Sequence, residues 1–142
     1  MPDRIAAAVR SRVMASVKKQ GTRLEKLCSR RLREAGWSRV ERQVAALVGT
    51  PDFVLRRQRV ALFVDSCFWH GCRRHLRMPR SNADYWSSKI ERNRARDRAV
   101  SAALRRAGWR VVRVWEHDVR DEAAWAVRLN AIRRVARGTR TR

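Results

Sequence analysis

The chain has 142 residues, 35 of them Lys or Arg and 13 Asp or Glu, for a formal charge of +22. That length suits a single domain with its own core. Such charge excludes a polycationic partner: the surface repels itself unless a polyanion works against it, which points to nucleic acid, with an anionic membrane or an ordinary Arg-rich surface as alternatives. No positively charged start leads into an apolar segment of signal-peptide length, and no run approaches the roughly 20 apolar residues of a membrane span. A cytoplasmic protein without membrane association is expected, and in a reducing compartment Cys67 and Cys72 read as metal ligands or buried thiols before disulfides.

From Ile5, the apolar positions Val9, Val13 and Val17 recur every four residues among Arg and Lys, the pattern of a basic amphipathic helix or arm. It either packs on the domain or orders on DNA, with Met14 as an apolar wedge. Gly21 is expected to break the pattern, and Thr22 with Glu25 reads as a capping box opening a second helix, whose stripe Leu24, Leu27, Cys28, Leu32 and Ala35 is buried. Cys28 fits that stripe as an unreactive core thiol. Trp37 to Val44 reads as a first strand, Phe53 to Leu55 as a second, and Val60 to Val64 as the strongest; the basic turn Arg56 to Arg59 suggests that the last two form a hairpin. An antiparallel pairing brings Asp52, before one strand, toward Asp65, after the other.

Pro79 holds the following loop out of helix, and a long helix is expected from Asp84 to Ala107, with Trp86, Ile90, Asn93, Asp97, Val100, Leu104 and Ala107 on one face. Polar Asn93 and Asp97 in that stripe need partners, from a structural network or a site. Gly108 ends the helix, Trp109 to Trp115 forms a last strand, and Glu122 to about Val135 a last helix burying Trp125, Leu129 and Ile132. The helix, Gly-Trp, strand pattern of Leu32 to Val40 returns at Leu104 to Val112, which predicts the same turn used twice.

The stretch Asp65 to His75 concentrates the chemistry. Cys67, Cys72 and His75 offer three soft or borderline ligands within nine residues, and a tetrahedral Zn²⁺ takes a fourth, for which His117 is the leading candidate; ordinary buried thiols are the alternative. Asp52 is a different group: hard carboxylate oxygens suit Mg²⁺, which phosphodiester hydrolysis uses, and His70 is the unassigned histidine nearest to take a proton. A turn carboxylate after Pro51 is the bland reading of Asp52. Phe68, Trp69 and Trp86 either stack on or wedge between bases or cover the loop.

Thr22-Arg23-Leu24-Glu25, Pro51-Asp52, Phe63-Val64-Asp65-Ser66-Cys67-Phe68-Trp69-His70, Asn82 with Tyr85-Trp86, Lys89-Ile90, Asn93, Arg96-Asp97, Gly108-Trp109 and Val114-Trp115-Glu116 together resemble the very-short-patch-repair (Vsr) DNA mismatch endonucleases. The resemblance implies a restriction-endonuclease-like α/β fold, a central mixed sheet flanked by helices with a structural zinc site, in a Mg²⁺-dependent enzyme that nicks one strand of double-stranded DNA at a T:G mismatch. On that likeness Asp52 and the carbonyl of Val64 bind Mg²⁺, His70 is the general base and Glu25 supports the metal and its water. Phe68, Trp69, Trp86 and Met14 intercalate at the mismatch, Lys89 and Asn93 are further DNA contacts, and Cys67, Cys72, His75 and His117 hold Zn²⁺. Residues 1–20 are then a basic arm or helix, 21–136 one nuclease domain and 137–142 a basic tail, in a monomer that meets DNA in the nucleoid.

Two departures from the family pattern stand out. Asp65-Ser66 occupies the place of His-Gly, so Asp65 is expected as a further Mg²⁺ ligand. The zinc positions exchange residue types, Cys72 standing where histidine is common and His75 and His117 where cysteines are, which keeps a Cys2His2 set. A defence or restriction-like nuclease of the same fold, acting on unmismatched or modified DNA, and a noncatalytic DNA-binding relative are the competing readings.

Overall fold

A computed structural model describes residues 7–67, 72 and 82–138. The expectations placed on Phe68, Trp69, His70 and His75, on the Met14 side chain and on most of the 137–142 tail lie outside the described residues. The elements run α1 (Ala7–Glu34), β1 (Glu41–Arg42), β2 (Phe53–Leu55), β3 (Val60–Asp65), α2 (Ala83–Arg106), β4 (Arg110–Trp115), α3 (Glu116–Arg120) and α4 (Glu122–Arg137). They build a mixed sheet in the order β1-β2-β3-β4, antiparallel across the first two pairs and parallel between β3 and β4. Parallel neighbours need a long crossover, and α2 belongs to it.

Because side chains alternate across a strand, the sheet feeds two cores. Phe53, Leu55, Val60, Leu62 and Val114 pack against Leu24, Cys28 and Leu32 of α1, Val119 of α3 and Trp125 and Ile132 of α4. Val54, Ala61 and Phe63 face the other way, toward Leu104 of α2 and Trp109. The strands between helical layers thus read as continuous apolar runs. Phe53, Leu62 and Ile132 are almost fully enclosed, and each such burial contributes about 1.5–3 kcal/mol.

The second and third strands form the expected hairpin, with Phe53 opposite Leu62 and Leu55 opposite Val60. The first strand does not run from Trp37 to Val44: only Glu41 and Arg42 pair as strand. Gln43 then enters the left-handed region at φ 49°, which ends regular pairing, although its N–H still reaches the Asp52 carbonyl at 3.0 Å. Nor does Gly21 break the N-terminal helix, and Thr22 does not open a new one, because α1 runs unbroken from Ala7 to Glu34. One interior glycine costs a helix only about 1 kcal/mol relative to alanine, which the apolar packing of the Leu24, Cys28, Leu32 stripe offsets. Sequence patterning also leaves out α3, whose start is capped by Asp118 accepting from the Trp115 N–H at 3.1 Å. Among the described residues no helix is long and apolar enough to cross a membrane.

The repeated Gly-Trp turn is present twice. Trp37 N–H reaches the Leu32 carbonyl at 3.1 Å and Trp109 N–H the Leu104 carbonyl at 3.0 Å. In each the preceding glycine is left-handed, Gly36 at φ 103° and Gly108 at φ 91°, a helix closure that satisfies the last carbonyls and aims the next segment back along the sheet. A Cβ at Gly36 meets nothing within 4 Å, so Gly36→Ala isolates the backbone effect. It should lower unfolding stability by about 1–2 kcal/mol in urea titration, whereas an unchanged midpoint would show that the turn does not require this conformation.

Candidate catalytic and metal sites

The hairpin register decides where the first carboxylate goes. Pro51-Asp52 enters β2 beside the outgoing end of β3, and the Val64 N–H donates to Asp52 Oδ2 at 2.8 Å. The Gln43 amide donates to Asp52 Oδ1 at 3.2 Å and also to Glu25 Oε1, so a helix residue and a strand-entry residue meet through one side chain. Arg42 stands 4.0 Å from Glu25. Burial pushes the Asp52 carboxyl up to about 6; the Val64 N–H opposes this, and the neighbouring Glu25 carboxyl adds to it. Two oxygen-rich groups drawn together where each disfavours the other's charge form a set suited to a hard divalent cation. The same neighbourhood and its own burial push the Cys28 thiol up to about 12, in keeping with an inert core cysteine.

Asp65, expected as a further Mg²⁺ ligand, also has a charged partner within the protein. It is buried, and Arg113 of β4 reaches it at 3.0 Å. The same guanidinium binds the Asp97 carbonyl at 3.2 Å and Ser101 Oγ at 3.0 Å, and lies 4.2 Å from the centre of the Phe63 ring. Asp97 therefore has the partner that a polar residue in an apolar stripe requires. Asp65, Asp97, Arg113, Phe63 and Asp52 line one cleft of about 420 Å³. Arg113 gave no signal in the sequence beyond interrupting a valine strand, and Gln43 gave none beyond lying at the end of a supposed one.

Beyond β3 and β4 lies a second cluster. Asp65 is opposite Trp115 in the parallel register, so Cys67 and His117 follow side by side. Cys67 Sγ and Cys72 Sγ lie 3.4 and 3.6 Å from His117 Nδ1, and the ligand atoms of the three residues fall within 4.8 Å of one another. A tetrahedral zinc site with Zn–S near 2.3 Å and Zn–N near 2.05 Å has an S to N edge of ~3.6 Å, so the donor set fits in type and spacing. His117 Nε2 faces Asp118 at 3.6 Å, the kind of outer carboxylate that orients a ligating imidazole. Glu116 accepts from the Cys67 N–H at 3.1 Å and ties the loop to the end of β4. Burial pushes the Cys67 thiol up to about 12.

Of the residues expected at DNA, Trp86 is 2% exposed and edge-on to Tyr85 at 4.9 Å between ring centres. It is an anchored ring that supplies the first buried turn of α2. Lys89 and Asn93 lie half-buried on the same helix, and Arg92, Arg96 and Arg98 are exposed along it. Arg96 reaches Asn93 Oδ1 at 3.4 Å.

A sequence model of the family described as DNA mismatch endonuclease Vsr matches residues 2–75. The chain is 44% identical over 135 residues to the type II nicking enzyme V.XorIIP of Xanthomonas oryzae pv. oryzae, covering 93% of this chain and 97% of that one. It is 42% identical over 125 residues to the type II nicking enzyme V.NaeI of Lentzea aerocolonigenes, covering 84% and 75%. To the DNA mismatch endonuclease Vsr of Escherichia coli K12 it is 37% identical over 115 residues, covering 80% and 72%.

The raised Asp52 carboxyl makes a signed prediction about stability. The folded chain keeps its proton up to about pH 6, whereas the ordinary value is 3.8. Stability therefore falls as pH rises between those two values, by up to about 3 kcal/mol. Asp52→Asn should accordingly be more stable than the parent to urea at pH 7.5 without added divalent cation, and the advantage should vanish near pH 4. A variant less stable at both pH values would contradict it.

Proposed function

Because this chain belongs to the Vsr DNA mismatch endonuclease family and is a DNA endonuclease, we propose that it nicks one strand of duplex DNA at a T:G mismatch in a Mg²⁺-dependent hydrolysis that opens very short patch repair. The observation that carries the reading is the convergence of Glu25 and Asp52 on the Gln43 amide at the end of β3, in a chain of charge +22. The fold is restriction-endonuclease-like on this reading, and the enzyme works as a monomer.

Asp52, with Glu25 beside it and the main-chain carbonyl of Val64, would hold Mg²⁺. Bound there, Mg²⁺ neutralises charge on the phosphate and favours ionisation of water. His70 takes a proton from the attacking water, and the cut leaves a 5′-phosphate and a 3′-hydroxyl. Asp65, which also accepts from Arg113, would be a further Mg²⁺ ligand at the cleft. Phe68 and Trp69, with Met14 and Trp86, unstack the duplex at the mismatch; Trp86 must leave its buried position to do so. Weakened pairing lowers the cost of unstacking, typically a few kcal/mol per step, which is how a wedge selects a mismatch. Lys89 and Asn93 add DNA contacts, and the exposed arginines grip phosphates. Cys67, Cys72 and His117, with His75 as fourth ligand, would hold Zn²⁺, and the site would clamp the loop to the β4 end.

A second reading is nicking at a fully paired site, since the names of two relatives record nicking without naming a mismatch. The deciding measurement is cleavage of end-labelled duplexes that differ only in carrying T:G or a paired base at one position, with and without Mg²⁺. Mg²⁺-dependent nicking confined to the mismatch is expected; equal cutting of both duplexes would overturn the mismatch reading in favour of the second. Asp52→Ala should lower nicking at least about 100-fold, as loss of metal-centred charge stabilisation does, while duplex affinity in a filter-binding titration stays within a few-fold. Loss of binding instead would remove Asp52 from the cutting step. Elemental analysis of purified chain should give one zinc per molecule, falling below one half in Cys67→Ser; full zinc in that variant would refute the ligand set.

A further inference from the structure

We propose that Gln43 is the positioning residue that assembles the carboxylate pair, one amide group donating to both Glu25 and Asp52. The inference rests on the reading of those carboxylates as the Mg²⁺ site. Glu25 comes from α1 and Asp52 from the entry to β2, so nothing in local sequence holds them together, and two carboxylates in a partly buried site repel. A primary amide has two N–H donors on one nitrogen. Spread across two carboxylates, they fix one oxygen of each, Asp52 Oδ1 and Glu25 Oε1; Asp52 Oδ2, which accepts one bond from the Val64 N–H, and Glu25 Oε2, 4.0 Å from Arg42, keep lone pairs for a cation.

The backbone supports the same assignment. Gln43 adopts φ 49°, a conformation that residues with a Cβ rarely take, and it is kept there while its own N–H binds the Asp52 carbonyl at 3.0 Å. Main chain and side chain of Gln43 therefore both grip Asp52. Strained backbone that persists beside a charged cluster is the pattern of a position retained for a site rather than for the fold. Neighbouring Arg42, at 4.0 Å from Glu25, adds charge but does not reach across.

The test separates the amide from the turn. Gln43→Gly removes the amide while relaxing the backbone, and Gln43→Asn keeps an amide and tolerates the left-handed conformation but is one methylene too short to span both carboxylates. Mn²⁺ binding to the zinc-loaded full chain, followed by electron paramagnetic resonance, and the Mg²⁺ concentration for half-maximal nicking are measured for each. With circular dichroism and the unfolding midpoint unchanged, Gln43→Gly should bind Mn²⁺ about 10-fold more weakly or worse, and its Mg²⁺ requirement should rise in parallel. Gln43→Asn should fall between it and the parent. Parent-like Mn²⁺ affinity in either folded variant overturns the proposal. Should the parent nick no DNA while the variants still lose Mn²⁺, the positioning role stands and the nuclease reading of the site fails.

Discussion

The parallel pairing of β3 with β4 is the constraint on which the rest depends. It sets Asp65 level with Trp115, so both strands end on the same line and both chain exits carry chemistry: Cys67 two residues past one strand and His117 two past the other. A slip of one residue would turn Phe63 and Val114 out of their cores, and the thiol to imidazole spacing of 3.4 Å would be lost with it. The antiparallel hairpin then adds Asp52 at that same end, through Val64. The carboxylates and the Cys/His cluster thus share one end of one sheet.

Charge at this edge runs opposite to the chain as a whole. Glu25, Asp52, Asp65 and Asp97 gather within a protein of formal charge +22; Arg42 lies 4.0 Å from Glu25, and Arg113 stands between Asp65 and Asp97. Arg113 serves them from a half-buried position, its face on Phe63 and its donors on Ser101 and the α2 backbone. That joins α2 to the strand ends, so the helix that carries Lys89 and Asn93 is fixed relative to the cleft. Glu25 and Asp52 have the Gln43 amide, the Val64 N–H and, at the 4.0 Å limit of an ion pair, Arg42 beside Glu25 to offset their repulsion. A site left in electrostatic deficit gains more from a cation than a neutralised one does.

The far side of the sheet is organised by closure rather than by charge. Both Gly-Trp turns return the chain from a helix toward a strand, and Arg31 of α1 reaches the Val119 carbonyl at 2.7 Å, which holds the short α3 and its His117 against the large core. Arg128 and the Trp115 N–H converge on the Asp118 carboxylate, so the imidazole is flanked by a carboxylate whose own position is doubly fixed.

By itself the sequence determined the elements whose cause is local. Short β-branched and apolar runs bounded by turn residues gave the hairpin and β4, period 3.6 gave α2 and α4, and glycines before tryptophan gave both helix closures. It also determined which chemistry was available, since soft ligands at Cys67, Cys72 and His117 and hard ones at Asp52 and Glu25 are fixed by residue type. Tertiary structure decided the partners. Gln43 read as strand, Arg113 as an interruption in a valine run, and Glu116 as part of a family ending, because a hydrogen bond between residues far apart in sequence leaves no period to detect. The same holds for α1, where packing on the sheet outweighs the glycine at position 21, and for Asp65, whose counter-ion lies on a neighbouring strand. Spacing along a chain records local geometry; which polar groups meet is set only when strands pair and helices pack.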